Sequence, residues 1–330
     1  MPDFATTVPA THTRPLAQFG GARPPAPAWF RQLMAMPMET GAVHIDGTRI
    51  EHFSWGQRGA QGVLLVHGNR AHARWWGPVA PLLARAGLRV AALSFSGMGG
   101  SGWRDAYHTS QMIEEMFGVI EATGLHEGPA RPFVVAHSFG ASIAALAARS
   151  RGHELSGTML VDSSMGPTPP QHPADILNKP RHYPTLEAGL ARFRLLPEQN
   201  CDNAFILDEV ARLALAEAEG GWRWCFDPSY WTKLTYENPW PAVSAPLCKL
   251  AFLYGETSSL VTEDCLALQR QQAPETTPFI GIPEAGHHVM MDQPFALGTA
   301  IHAILACWLP DTLATGVATT ASLPADRSRS

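Results

Sequence analysis

Charge is scarce in this chain. Only 16% of its 330 residues are Asp, Glu, Lys or Arg, and the formal net charge is −5. With Lys+Arg at 24 against Asp+Glu at 29, no basic excess exists to neutralise a phosphate backbone, so nucleic-acid binding is not expected. Cysteine is sparser still. Cys201, Cys225, Cys248, Cys265 and Cys307 are odd in number and widely spaced. No CxxC pair or Cys/His cluster suggests zinc, and free thiols in a reducing cytoplasm are the expectation. No apolar run approaches the ~18 residues of a membrane-spanning helix. The first residues lack the basic-then-apolar pattern of a secretory signal peptide. Apolar residues, by contrast, are plentiful at 45%, enough for a sizeable core and too many for wholesale disorder.

Residues 1–27 carry six prolines and read, with the segment to about 40, as an extended N-terminal arm. Residues 311–330 are small, polar and aperiodic, a frayed tail. Between them, short runs apolar throughout recur at 62–68, 88–96, 132–138, 157–163, 249–255 and 277–282. Amphipathic stretches separate most of them. Runs without polar alternation suit strands buried on both faces, as in a parallel sheet covered by helices. Residues 43–55 add a candidate antiparallel hairpin at one edge. The expected fold is α/β, a mostly parallel doubly wound sheet formed by 41–163 and 248–310. The interval 164–247 holds no such apolar run and is far too long for a loop, so it reads as an inserted helical cap.

Three segments carry chemistry. In VVAHSFGAS an apolar strand ends at Ser138 and a helix follows at once, with small Ala136 and Gly140 two residues to either side. That spacing suits a sharp strand-to-helix turn that projects a nucleophilic Oγ above the sheet edge. In LLVHGNR, the loop after another strand can aim the Asn69 amide at the point that the Phe139 amide faces, forming an oxyanion hole. Gly68 permits the tight backbone there, and His67 reads as a structural histidine. In PEAGHHVMMDQP, His287 follows a glycine after a late strand and precedes the last helix, so it is the candidate general base, with His288 a packing neighbour.

HGN, FSGMGGSGW, AHSFG and AGHHVMMDQP occur in the order found in the α/β-hydrolases, and over about 43–308 the chain resembles a capped member of the serine esterase type. Two departures from that family's pattern stand out. The loop after 88–96 has Ser94 or Ser96 where the family usually carries Asp, which bears on loop packing. The usual acid position after 249–255 is Ser258, which has no charge to orient an imidazolium. Some members place the acid after the strand that follows the nucleophile helix, here Asp162; Glu256 and Asp264 are the alternatives. The resemblance implies a serine hydrolase acting on a small ester or related acyl compound, with no metal or organic cofactor. Carbon–carbon hydrolase or acyltransferase chemistry on the same scaffold, and a catalytically silent binding protein, are its rivals.

Two further features need weighing. GMGGSG at 97–102 matches a dinucleotide-binding pattern, but WRDAYHT follows where a helix should start. Cap aromatics Trp222, Trp224, Phe226 and Trp231 can line an apolar pocket or form the cap's own core, and Trp75 and Trp76 are similarly open. Trp222, Trp224 and His137 are the candidate substrate contacts. A homodimer is compatible with the sequence.

Overall fold

The computed structural model describes residues 14–167 and 182–309. The 311–330 tail and the first thirteen residues of the arm lie outside the described residues. Eight strands form the main sheet: β1 (Glu39–Ile45), β2 (Thr48–Trp55), β3 (Gly62–Val66), β4 (Arg89–Leu93), β5 (Phe133–His137), β6 (Gly157–Val161), β7 (Lys249–Gly255) and β8 (Phe279–Ile282). Their order is β1-β2-β4-β3-β5-β6-β7-β8. Only the pairings of β2 with β1 and with β4 are antiparallel. The edge hairpin and the central parallel strands therefore stand as the sequence pattern predicts.

The continuous apolar runs have a direct physical explanation. Every residue of β3, β4, β5 and β6 is buried. Successive side chains point to opposite faces, and both faces are covered. Val63 and Leu65 join one apolar cluster with Val79, Leu83 and Leu297, whereas Leu64 and Val66 join another with Met112, Met116 and Ile143. Each such side chain contributes roughly 1.5–3 kcal/mol on burial.

Register fixes the working edge. His137 pairs with Val161, and Val161 with Leu253. The residues that follow, Ser138 and Asp162, thus leave adjacent strands at the same carboxyl edge. Loops outside that edge are where open parallel sheets place their ligands.

Between β6 and β7 the structure departs from the helical expectation. The described part contains helices Leu186–Leu190, Ala204–Leu213, Tyr230–Lys233 and Trp240–Val243. It also contains a three-stranded sheet in which Gly221–Trp224 pairs with His182–Tyr183 and Leu215–Ala218. The apparently helical stretch ILDEVARLALAEAEG is helical only to Leu213; Leu215–Ala218 is a strand, and Gly220 and Gly221, with φ of 84° and 123°, reverse the chain into a hairpin. The insertion is stitched to the loop after β4: Gly99 N–H donates to the Cys225 carbonyl at 2.7 Å and Asp227 N–H to Gly97 at 2.8 Å.

The N-terminal segment also differs from an extended arm. Residues Ala28–Met34 form a helix, and Leu16, Phe30 and Leu33 are buried. The prolines before it end at Pro27, directly ahead of the helix, where the fixed φ of proline is compatible with helix entry.

One buried ion pair holds the turn after β4. Glu115, in the helix Thr109–Ala122, accepts from Arg104 at 3.0 Å and from the Ser96 amide at 2.9 Å. Both side chains are almost wholly buried, so removing one strands the other. Glu115→Ala should lower unfolding free energy by about 3–5 kcal/mol in urea titration; a loss within the ±0.5 kcal/mol of a surface change would contradict this.

Candidate active site

Ser138 sits between β5 and the helix Phe139–Ser150 with φ 52° and ψ −119°. Positive φ is costly for a serine and persists only where the surroundings impose it. Here the Ser138 amide donates to the Val161 carbonyl at 2.9 Å, and its own carbonyl accepts from Ala141 at 3.0 Å. Gly140 completes the constraint: a Cβ there would lie 2.3 Å from the His67 carbonyl oxygen. Only a residue without a side chain lets this helix approach the end of β3 so closely. The turn leaves Ser138 partly exposed above a buried strand.

His287 Nδ1 lies 2.7 Å from Asp162 Oδ1, and both side chains are buried. Asp162 Oδ1 also accepts from Ser258 Oγ at 2.8 Å, while Oδ2 accepts from the Gly255 amide at 2.8 Å. Ser258 and the Gly255 amide donate to the two oxygens whatever the histidine does, and an ionised carboxylate offers His287 only acceptors. Nδ1 of His287 is therefore its protonated nitrogen, and Nε2 carries the free lone pair. The other acids considered lie elsewhere. Glu256 packs over Gly281 of β8, and Asp264 is exposed in the first turn of the helix Glu263–Gln272.

Ser258 occupies the position where the family pattern has its acid. It lacks the charge but keeps a role, because its Oγ accepts from the Leu260 and Val261 amides, both at 3.2 Å, and donates to Asp162. A similar exchange answers the missing acid after β4. Ser94 Oγ donates to Glu51 at 3.0 Å and accepts from Ala73, so a carboxylate from β2 stands in for one within the loop.

The remaining histidines divide by their partners. His67 Nδ1 donates to the Gly68 carbonyl at 2.7 Å while Nε2 accepts from Phe95 N–H at 3.0 Å, which fixes a neutral structural ring. Burial pushes it down to about 4. His137, expected to touch substrate, does not fit that role. It is buried, and its Nε2 donates to the His287 carbonyl at 2.9 Å, so it braces the histidine loop from beneath. The His288 ring lies 4.8 Å from His287 and 5.4 Å edge-on to Trp75. Desolvation holds both His137 and His288 well below the usual imidazole range. Nitrogens of His137, His287 and His288 fall within 4.8 Å of one another. Of these rings, His287 gives Nδ1 to Asp162 and His137 gives Nε2 to the His287 carbonyl.

Gln199 and Asp292 escaped the sequence reading. Gln199 accepts from the His288 amide and donates to Asp292, which also accepts from the Gly286 amide. Asp292 lay inside the AGHHVMMDQP motif and could have been flagged. Gln199, in the insertion, carries no local signal.

The amides of Asn69 and Phe139 donate to no other described group. Phe139 is first in its helix, so its N–H has no intrahelical acceptor. Of the cap aromatics weighed in the sequence, Trp231 is the one that reaches this turn, joined by Tyr236, which the sequence did not single out. Trp231 and Tyr236 lie 5.5 and 6.2 Å from Phe139. Trp224 packs inside the insertion instead, donating to Tyr183 Oη at 3.1 Å and lying 6.2 Å from Phe193. Trp222 pairs across its hairpin with Glu217 and Tyr183 and has no described contact with the Ser138 turn. The glycine run at 97–102 is spent as well: the amides of Gly97, Gly99 and Gly102 donate to backbone carbonyls, and that of Gly100 to Glu51. None is left to cradle a phosphate.

The profile of the alpha/beta hydrolase family matches residues 63–298. The chain belongs to the alpha/beta hydrolase family. A serine hydrolase-like protein of Dictyostelium discoideum is 31% identical over 130 residues, 38% of this chain; the match spans 35% of that relative's length. Among solved structures, the thioesterase domain from the curacin biosynthetic pathway aligns with a TM-score of 0.68 at 21% identity, covering 81% of this chain and 99% of that one. E-2-(acetamidomethylene)succinate hydrolase gives 0.66 at 19% identity, covering 82% and 99%. An esterase of Mycobacterium tuberculosis gives 0.62 at 21%, covering 88% and 94%. These likenesses establish the fold of this alpha/beta hydrolase.

The buried imidazoles make a pH prediction. His67 and His72, pushed down by burial to about 4 and about 3, stay neutral in the folded protein. Unfolded, each takes up a proton near pH ~6.5. The unfolded state therefore binds more protons, and stability should fall as pH drops from about 6.5 toward 4 and below. Urea midpoints measured from pH 7.5 to 4.5 should decline; a flat profile would contradict it.

Proposed function

We propose that this alpha/beta hydrolase is a serine hydrolase that cleaves a carboxylic ester or related acyl compound through an acyl-enzyme. The observation that carries this reading is the 2.7 Å hydrogen bond between His287 Nδ1 and Asp162, in a loop whose backbone is bonded to His137, the residue before the strained Ser138 turn. Ser138 Oγ attacks the substrate carbonyl as His287 Nε2 takes its proton. Asp162 holds the tautomer and stabilises the imidazolium that forms. The Asn69 and Phe139 amides donate to the oxyanion. His287 then gives the proton to the leaving alcohol, and water, activated by the same ring, releases the acid.

The curated relative's description as serine hydrolase-like, and the esterase and thioesterase among the structural neighbours, support this reading. The pairing of Asp162 with His287 favours this reading over a catalytically silent scaffold, whose support was the missing acid after β7. Trp75, Trp231 and Tyr236 are the proposed pocket wall, beneath an insertion that acts as the cap. Five free cysteines accord with a reducing cytoplasm.

A fluorophosphonate probe should label the wild-type protein and fail to label Ser138→Ala; labelling of another serine would sink the assignment. With p-nitrophenyl esters, Asp162→Asn should lower kcat by about 10³ or more, and Glu256→Gln by less than about tenfold. Equal effects of the two would mean that the acid is misassigned.

Trp231→Ala should change relative rates across ester chain lengths. Trp224→Ala should leave that profile alone and instead lower thermal stability, as removal of a packed aromatic does. The reverse pattern would restore Trp224 to the pocket.

A further inference from the structure

Arginine is seldom withdrawn from water without a carboxylate beside it. Arg89 with Glu39, Arg104 with Glu115, Arg151 with Glu154 and Arg212 with Asp208 follow that rule. Arg70 does not. It is half-buried, and among the described residues it has no hydrogen bond and no ion pair. Its partner is the face of Phe226, 5.0 Å from Cζ to the ring centroid. Burial pushes its guanidinium down to about 10, with no acid opposing the shift.

The position matters as much as the missing partner. Arg70 directly follows Asn69, so their Cα atoms are ~3.8 Å apart, and it holds φ at 56°. A non-glycine residue keeps that conformation only under constraint. Phe226 comes from the insertion, and its backbone bridges Met98 in the loop after β4. The guanidinium is thus placed between the candidate oxyanion turn and the insertion, with its planar fork of donors unclaimed.

We propose that Arg70 binds a carboxylate of the substrate, so that the preferred ester or acyl compound is an anion. This rests on the serine-hydrolase reading above. The fork matches a carboxylate bidentately, which fixes orientation as well as affinity. A single guanidinium balances one unit of charge, which favours a carboxylate over a phosphate dianion. Anchored one residue from the Asn69 amide, the substrate's charged end would set where its scissile carbonyl lies.

The test compares monomethyl succinate, glutarate and adipate with methyl butyrate, pentanoate and hexanoate, following methanol release. Wild type should favour the anionic ester by tenfold or more in kcat/KM for at least one chain length. In Arg70→Gln that ratio should fall at least tenfold, chiefly through KM, and Arg70→Lys should recover part of it. No anionic preference in wild type, or an unchanged ratio in Arg70→Gln, overturns the assignment. Ser138 labelling by fluorophosphonate separates the two levels: a labelled serine without carboxylate preference defeats the Arg70 proposal alone. Absent labelling and turnover defeat the hydrolase reading. In that last case glutarate decides: a higher Tm for wild type but not for Arg70→Gln supports the anion site, and no shift in either overturns it.

Discussion

Three separate parts of the chain meet at the Asp162 carboxylate, its own included. His287 comes from the loop after β8, Ser258 and the Gly255 amide from the end of β7, and Asp162 itself from the end of β6. A buried carboxylate left without donors would be expensive. With them it acts as a knot: its own amide donates to the Leu253 carbonyl at 2.8 Å. Adjacent strands and the histidine loop are thus locked to one point, and the imidazole is oriented by groups that cannot move independently.

The serine side is held by contact, not by charge. Ser138 keeps a left-handed φ because a strand, a helix and the His67 carbonyl leave it no other path. His137 links the two halves, since it precedes the strained serine and donates to the His287 backbone. Mutual orientation of serine and histidine is thereby set by backbone geometry, and side-chain freedom has little to do with it.

Legibility in the sequence followed the range of the forces involved. Fully buried parallel strands are written as unbroken apolar runs, so the sheet and its carboxyl edge were readable residue by residue. Ser138 and His287 sit in short motifs whose spacing reflects a local steric demand. Asp162 was readable only through topology, because one crossover brings it beside Ser138. Long-range partnerships left no trace. Gln199 reaches the His288 amide from the insertion, and Glu51 reaches Ser94 from another strand. The small sheet at Gly221–Trp224 was masked by the helix-forming residues before it, and the role of Ser258 by its lack of charge. Aromaticity alone does not say which core a ring joins, so the packing of Trp224 against Tyr183 and Phe193 was not legible.

The helix Ala204–Leu213 of the insertion is fastened on several sides. His72 Nε2 donates to the Val210 carbonyl at 3.0 Å, and Arg74 meets Glu209 at 3.5 Å. Arg23 pairs with Glu209 at 3.0 Å, and Arg212 donates to the Gly21 carbonyl at 2.6 Å. Asn203, just before the helix, donates to the Met291 carbonyl at 2.8 Å. The N-terminal segment, the loop after β3 and the histidine loop therefore grip one short helix together. A hinged swing of this part of the insertion would break all of these bonds at once, some of them buried. The N-terminal residues thus work as a clasp on a structure nearly two hundred positions away in the chain.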